Sequence, residues 1–119
     1  MGTENHQLIT LSNGLRVVHQ RVRGTQLVHA GFSINTGSKN DDQYPGLAHC
    51  LEHMLFKGTS RRAGREISAT VQAHGGYINA YTTFDRTVYY IDLPSEHTGM
   101  AVDLLADAVL NSTLPADET

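Results

Sequence analysis

The stretch Gly46-Leu47-Ala48-His49-Cys50-Leu51-Glu52-His53-Met54-Leu55-Phe56-Lys57-Gly58-Thr59 is the most informative part of this chain of 119 residues. Apolar residues recur through it, Pro45 precedes it, and Gly58 lies near its end. Proline before and glycine after an apolar run are typical of a helix start and a helix stop. The polar run at 39–43 can cap and solvate the start. The pattern therefore predicts one largely buried helix.

Three side chains of that helix share one face: His49, Glu52 and His53. On a helix that turns about 100° per residue, Glu52 lies about 60° to one side of His49, and His53 lies about 40° to the other. Two imidazoles one turn apart can bind one metal ion, and the carboxylate beside them can reach a water molecule at that ion. The order H-x-x-E-H is that of a reversed zinc-peptidase motif. The alternative is a pair of partly exposed helix histidines with Glu52 as an ion-pair partner.

Length and charge limit the other classes of function. A chain of 119 residues makes one domain or part of one. The net charge is −3 and no block of like charges is present, so nothing indicates a nucleic-acid partner. The small cluster Arg61-Arg62 with Arg65 is typical of a solvated helix start.

Membrane, leader and disulfide signals are weak in the sequence. No apolar run approaches the length of a membrane span, and no apolar leader follows Met1. A soluble protein is expected, with the cytoplasm favoured and the compartment otherwise unknown. Cys50 is the single cysteine, which excludes an intrachain disulfide. It lies off the face of the two histidines and is expected to pack as a small apolar residue.

The remaining patterns predict five further groups of elements. Asn13-Gly14 between two apolar runs predicts a hairpin turn, and Gly75-Gly76 predicts the end of a second helix. The predicted ranges are 8–11 and 15–18 for a first hairpin, 28–35 for a third strand, 63–74 for the second helix, 77–84 and 87–93 for a second hairpin, and 95–111 for a last helix. Strands grouped apart from helices predict an α+β fold, a layered sheet with helices packed on one face.

Four motifs stand in a familiar order. They are Leu11-Ser12-Asn13-Gly14-Leu15, the stretch 46–59, Gly75-Gly76-Tyr77-Ile78-Asn79-Ala80-Tyr81-Thr82 and Asp85-Arg86-Thr87-Val88-Tyr89. Together they resemble the signature of the pitrilysin/insulinase-type zinc metallopeptidases. The resemblance runs from about Leu8 to Pro115, which is nearly the whole chain.

The resemblance implies a role for each matching residue. His49 and His53 are implied zinc ligands through imidazole nitrogen, and Glu52 is the implied general base that takes a proton from water and passes it to the leaving amine. Asn79 and Ala80 are implied to lie on an edge strand beside the metal, where a substrate peptide pairs in extended form. From the residues alone, Asn79 is instead a strand residue that hydrogen-bonds a nearby loop.

The implied activity is zinc-dependent endopeptidase hydrolysis of peptides or unfolded protein segments. A catalytic zinc usually has three protein ligands, and the family's third ligand, a glutamate on a later helix, is expected beyond Thr119. Residues 1–119 are therefore expected to be a single partial domain, which is inactive alone and is completed by a second homologous half or subunit. The alternative is a non-catalytic peptide-binding or scaffold subunit of the same fold.

Residue type predicts where the remaining acids and the aromatic residues of the second hairpin lie. The acids that are candidates for a substitute ligand are interpreted as solvated surface: Glu66, Asp103, Asp107 and Glu118. The aromatic residues of the second hairpin are expected in the core or in a cleft wall, with the core favoured: Tyr81, Phe84, Tyr89 and Tyr90.

Overall fold

A computed structural model describes residues 6–41 and 44–112 of the chain. Within these ranges the elements follow the predicted order of three strands, two helices, two strands and one helix. They are β1 (His6–Thr10), β2 (Arg16–Gln20), β3 (Leu27–Ile34), α1 (Leu47–Leu55), α2 (Gly64–Ala73), β4 (Tyr77–Thr82), β5 (Thr87–Pro94) and α3 (Thr98–Leu110). Short 3-10 turns lie at Ser38–Asn40 and Ser95–His97. No helix in the described ranges combines the length and the apolar character that crossing a membrane requires.

The strands form two separate antiparallel sheets. β1 pairs only with β2, whereas the second sheet has the order β3-β5-β4. Ala80 of β4 lies opposite Tyr89 of the central strand, and Thr82 lies opposite Thr87. In the described sheet β4 is therefore an edge strand, and it contacts the motif helix α1.

One face of the three-stranded sheet carries the core. Alternate residues of β5 are buried because successive side chains of a strand point to opposite faces. The buried cluster joins these residues to all three helices: Leu55, Val71, Tyr89, Ile91, Leu93, Ala101, Leu104 and Leu105. The predicted α+β layer with helices on one face is therefore confirmed.

The aromatic residues of the second hairpin divide between the two faces. Tyr89 lies in the core, as expected. Tyr90 is half-buried on the other face of the sheet, Tyr81 is 44% exposed, and Phe84 in the turn is 69% exposed. The expectation that favoured the core for Tyr81, Phe84 and Tyr90 is wrong, because the two-residue period of the strands places Tyr81 and Tyr90 on the face opposite Tyr89, and Phe84 lies in the turn.

The glycine pair between α2 and β4 sets the position of the edge strand. Gly75 has a φ of +79°, which side chains rarely allow. A Cβ atom on Gly76 would lie 2.7 Å from the Cβ of Leu93 and 2.8 Å from the carbonyl oxygen of Asp92. The chain can therefore enter β4 close against β5 only with glycine at this point.

Helix α1 is buried on one side only. Glu52, Met54 and Leu55 are buried, whereas Leu47 and Leu51 are exposed, and so is Cys50. The expectations of a largely buried helix and of a packed Cys50 are wrong. The reason is the position of α1 at the sheet edge, where it contacts edge strand β4 and the 3-10 turn at Ser38–Asn40 and leaves its other side exposed.

Candidate metal centre

The start of α1 is fixed by Asp41. Its Oδ2 accepts a hydrogen bond from the backbone N–H of Gly46 at 2.8 Å, and its Oδ1 accepts one from Ala48 at 2.9 Å. Two of the otherwise unpaired amides at the helix start therefore bind one buried carboxylate, which also suits the positive end of the helix dipole. The polar run at 39–43 thus provides the expected cap through Asp41, directly before the first histidine of the motif.

The motif histidines meet at their Nε2 atoms. The Nε2 of His49 and the Nε2 of His53 are 3.0 Å apart. Two imidazole nitrogens that bind one tetrahedral zinc ion lie ~3.3 Å apart, because each Zn–N bond is about 2.0–2.1 Å. At 3.0 Å the two nitrogens cannot both carry a hydrogen, so at least one presents its lone pair to the other. The pair therefore fits a metal ion with little movement.

Glu52 completes the cluster from the buried side. One potential ligand atom from each of His49, Glu52 and His53 lies within 4.8 Å of the others, and the described ranges contain no other such group of three. The two histidines are exposed, whereas Glu52 is only 7% exposed. Its Oε2 accepts a hydrogen bond from the hydroxyl of Thr82 at the end of β4. The potential metal-binding groups are thus two accessible imidazoles and one sheltered carboxylate.

A cleft runs from this cluster to the edge strand. It has a volume of about 250 Å³, and its lining residues are Glu52, His53, Phe56, Lys57, Asn79 and Ala80. A larger cleft of about 570 Å³ borders Phe56, Lys57 and the start of α2. None of the residues that line the larger cleft is a histidine, cysteine or acid. The smaller cleft is therefore the one that can support metal chemistry.

Asn79 is hydrogen-bonded within its own strand. Its Nδ2 donates to the hydroxyl of Tyr77 at 2.5 Å, and its Oδ1 accepts from the backbone N–H of Ala80 at 2.8 Å. These contacts differ from the loop contact that the residue type alone predicted. The structure brings Asn79 and Ala80 to the same cleft as Glu52 and His53, and the Asn79 amide covers the Ala80 N–H.

Tyr89 lies beneath this site. Burial raises its pKa to about 12, and the charge of Glu52 contributes in the same direction. The ring of Phe56 at the end of α1 packs edge-on against Tyr89, with the ring centres 5.4 Å apart. The floor of the site is therefore an aromatic pair that favours a neutral phenol.

The raised pKa of Tyr89 predicts a loss of stability in strong alkali. An unfolded tyrosine ionises near pH 10, whereas folded Tyr89 stays neutral to about pH 12. The stabilisation is complete below pH 10 and is lost as the pH rises through 12, which amounts to about 2–3 kcal/mol. Between pH 9 and pH 12, the free energy of unfolding of wild type should therefore fall by that amount relative to Tyr89→Phe. Urea titrations at each pH measure it. Exposed Tyr81→Phe is the control, and equal slopes for wild type and Tyr89→Phe would contradict the assignment.

A polar network fixes the loop that follows α1. The carboxylate of Asp107 accepts hydrogen bonds from the Thr59 hydroxyl at 2.7 Å, from the Arg62 guanidinium at 2.7 Å and from the Asn111 amide at 3.0 Å. Arg62 also bonds Asp103 at 2.8 Å. Burial opposes the charge of Asp107, but these hydrogen bonds outweigh it, so the pKa of Asp107 lies below its usual value.

The interpretation of Asp107 as solvated surface is wrong. Asp107 is 2% exposed, whereas Asp103 and Glu66 are exposed as expected. Glu118 lies outside the described residues. A signal was present in the sequence, because Asp107 stands three residues after Leu104 and therefore borders the apolar stripe of α3. Its partners are too distant in sequence for the spacing to reveal.

Comparison with known families gives the same assignment as the site. The sequence model described as "Insulinase (Peptidase family M16)" matches residues 16–119. The chain is 39% identical over 110 residues to the Bacillus subtilis (strain 168) protein "Uncharacterized zinc protease YmxG", covering 92% of this chain and 27% of that protein. It is also 39% identical over 107 residues to the Arabidopsis thaliana protein "Probable mitochondrial-processing peptidase subunit beta, mitochondrial", covering 89% of this chain and 20% of that protein.

Solved structures share the fold. A protease from Helicobacter pylori superposes with a TM-score of 0.89 at 32% identity, over 97% of this chain and 28% of that one. Pitrilysin superposes with a TM-score of 0.88 at 30% identity, over 98% of this chain and 13% of that one. The chain thus spans between 13% and 28% of the length of these four proteins. Since the family model matches most of its length and the folds agree, the chain belongs to the insulinase family, peptidase family M16.

Proposed function

We propose that this chain carries the metal ligands and the general base of a zinc-dependent metalloendopeptidase. The observation that supports this most directly is the cluster on α1, in which the two Nε2 atoms are 3.0 Å apart. The carboxylate of Glu52 lies within 4.8 Å of both histidines, and the cluster opens to a cleft beside an edge strand. The names of the relatives, which include zinc proteases, are consistent with zinc as the metal.

The proposed roles follow from the chemistry of the three side chains. His49 and His53 hold the ion through neutral imidazole nitrogen. A bound zinc ion supplies a Lewis acid, which makes a water molecule acidic near neutral pH and polarises a carbonyl group. Glu52 accepts the proton of the attacking water and returns it to the leaving amine nitrogen. Its sheltered position limits the contacts of the carboxylate with competing solvent.

The proposed substrate is a peptide or an unfolded protein segment in extended form. Edge strand β4 borders the cleft through Asn79 and Ala80, and an extended chain can add to such an edge by backbone hydrogen bonds. Backbone pairing gives affinity with little dependence on the side chains of the substrate. This arrangement favours cleavage of many sequences that share an extended conformation.

We further propose that other parts of the protein complete the site. Catalytic zinc usually takes three protein ligands, and α1 offers two histidines beside the general base. Asp107 and Asp103 are bonded to Arg62, which makes either a poor third ligand. The resemblance to the family implies a glutamate on a later helix as the third ligand, and we propose it in that role, with residues 1–119 as part of one domain. One similar protein is by name a subunit of a processing peptidase, which supports a second homologous half or subunit as the partner.

Metal removal tests the proposed function. The full-length protein should cleave an unstructured fluorogenic peptide, and a zinc chelator should lower the rate at least about tenfold, because the ion is needed at every turnover. Added Zn²⁺ should restore the rate, and added Mg²⁺ should not, since Mg²⁺ prefers oxygen ligands. Zinc content measured by atomic absorption should fall in His49→Ala and His53→Ala.

The matched control for the histidine variants is His29→Ala, whose imidazole is exposed on β3 and paired with Asp92. It should keep both zinc and activity. Cleavage that persists in metal-free protein would contradict a zinc peptidase. A protein that binds a long peptide equally well with and without zinc, and never cuts it, would support the alternative of a non-catalytic binding or scaffold subunit.

A further inference from the structure

The base proposed above is held by a residue of the edge strand. Glu52 is 7% exposed, and its Oε2 accepts a hydrogen bond from the Oγ1 of Thr82, 30 residues later in the chain. Thr82 is the last residue of β4, and its side chain is half-buried on the helix side of the sheet. The contact therefore links the helix that carries the metal-binding face to the strand that borders the cleft.

Thr82 is suited to fix the direction of a carboxylate. Glutamate has three side-chain torsions and many rotamers, so a glutamate on a helix has no single preferred position for its oxygens. Threonine is branched at Cβ and stiff about its first torsion, and a strand in a sheet holds its backbone rigidly. A hydrogen bond from a hydroxyl to a charged carboxylate is also stronger than one between neutral groups.

The bond engages one of the two carboxylate oxygens. Oε2 is the acceptor, and Oε1 is not part of this contact. We propose that Thr82 is a positioning residue, which orients Glu52 so that Oε1 performs the proton transfer. This proposal rests on the proposed function, because it assigns Thr82 a part in the reaction only if Glu52 is the base.

The residue opposite Thr82 provides a matched control. Thr87 of β5 is its cross-strand partner, so the two threonines lie side by side on one face of the sheet. The Thr87 hydroxyl donates to the carbonyl oxygen of Thr36 at 2.7 Å and does not take part in the Glu52 contact. Thr87→Val thus removes the hydroxyl of a buried residue from the same sheet and leaves the proposed base in place.

The kinetic test uses the full-length protein and an extended peptide. Thr82→Val removes the hydroxyl at nearly constant volume and should lower kcat about ten- to a hundredfold, with KM changed less than about twofold. Thr82→Ser restores the donor and should recover kcat to within about threefold of wild type. Thr87→Val should leave kcat unchanged, and zinc content should stay the same in all three variants.

A structural readout separates positioning from activity. In crystals of the metal-free protein, Glu52 should occupy one rotamer in wild type and in Thr82→Ser, and several rotamers in Thr82→Val. If wild type is active, a single Glu52 rotamer in Thr82→Val or an unchanged kcat in that variant overturns the role of Thr82. Neither result affects the proposed function. Equal losses of kcat in Thr82→Val and Thr87→Val also overturn the role of Thr82, because they would show a general effect on the sheet. A wild type that cleaves no peptide overturns the proposed function itself.

Discussion

Glu52→Gln is expected to lower the rate of peptide hydrolysis by the full-length protein about a thousandfold. Glutamine has nearly the same shape as glutamate, but its amide cannot accept a proton near neutral pH, so general base catalysis is lost. The hydrogen bond from Thr82 to a side-chain oxygen can persist. The two histidines are untouched, and zinc should therefore remain bound. Stopped assays with a fluorogenic peptide measure the rate, and atomic absorption measures the metal.

Glu66→Gln is the matched control for this change. Glu66 lies in the first turn of α2, is exposed, and is outside the metal cluster. The same loss of one negative charge there should leave the rate within about twofold of wild type, since an isolated surface substitution away from the site has little effect. A Glu52→Gln protein that keeps its zinc and cleaves as fast as wild type would show that Glu52 is not the base.

The second large effect is expected on stability, at Asp107. Asp107→Ala removes the shared acceptor of Thr59, Arg62 and Asn111. Arg62 keeps its bond to Asp103, so the loss arises mainly because the Thr59 hydroxyl and the Asn111 amide lose a charged acceptor. Hydrogen bonds to a charged, buried group contribute about 2 kcal/mol each, and a loss of about that size is expected. Amide exchange of Thr59, whose N–H bonds the Arg62 carbonyl, should accelerate about thirtyfold.

Asp103→Ala is the control, since its carboxylate is 53% exposed and Arg62 retains Asp107 in that variant. An exposed ion pair contributes little to stability, so exchange should change far less. The low pKa of Asp107 adds a dependence on pH: its stabilisation is present above the usual aspartate pKa and is lost as the pH falls through the lowered value. Equal exchange in the two variants would show that burial of Asp107 is unimportant.

The sequence predicted the local features of this fold well. The order of elements, the shared face of His49, Glu52 and His53, and the glycine pair before β4 depend on residues that are close in the chain. Helical and strand periods fix such features directly. The candidate metal cluster belongs to this class because all of its members lie within five residues of one helix.

The features that the sequence did not predict depend on contacts between distant segments. Thr82 meets Glu52 from 30 residues away, and Thr59 meets Asp107 from 48 residues away. No periodicity connects such residues, because their distance is set by how α1, β4 and α3 pack. The exposure of Leu51 and Cys50 is of the same kind, since it follows from the position of α1 at the sheet edge.

The Asn79 amide that covers the Ala80 N–H has a consequence for the order of events at the edge strand. A chain that adds to β4 at this point must first displace the Oδ1 of Asn79, which exchanges one hydrogen bond for another. Pairing with the edge of another strand then gains little free energy at this position, because the Ala80 N–H already has an acceptor. A chain that also forms contacts in the adjacent cleft gains more free energy. At this one position of the edge, pairing therefore favours a ligand that reaches the cleft over a chance strand.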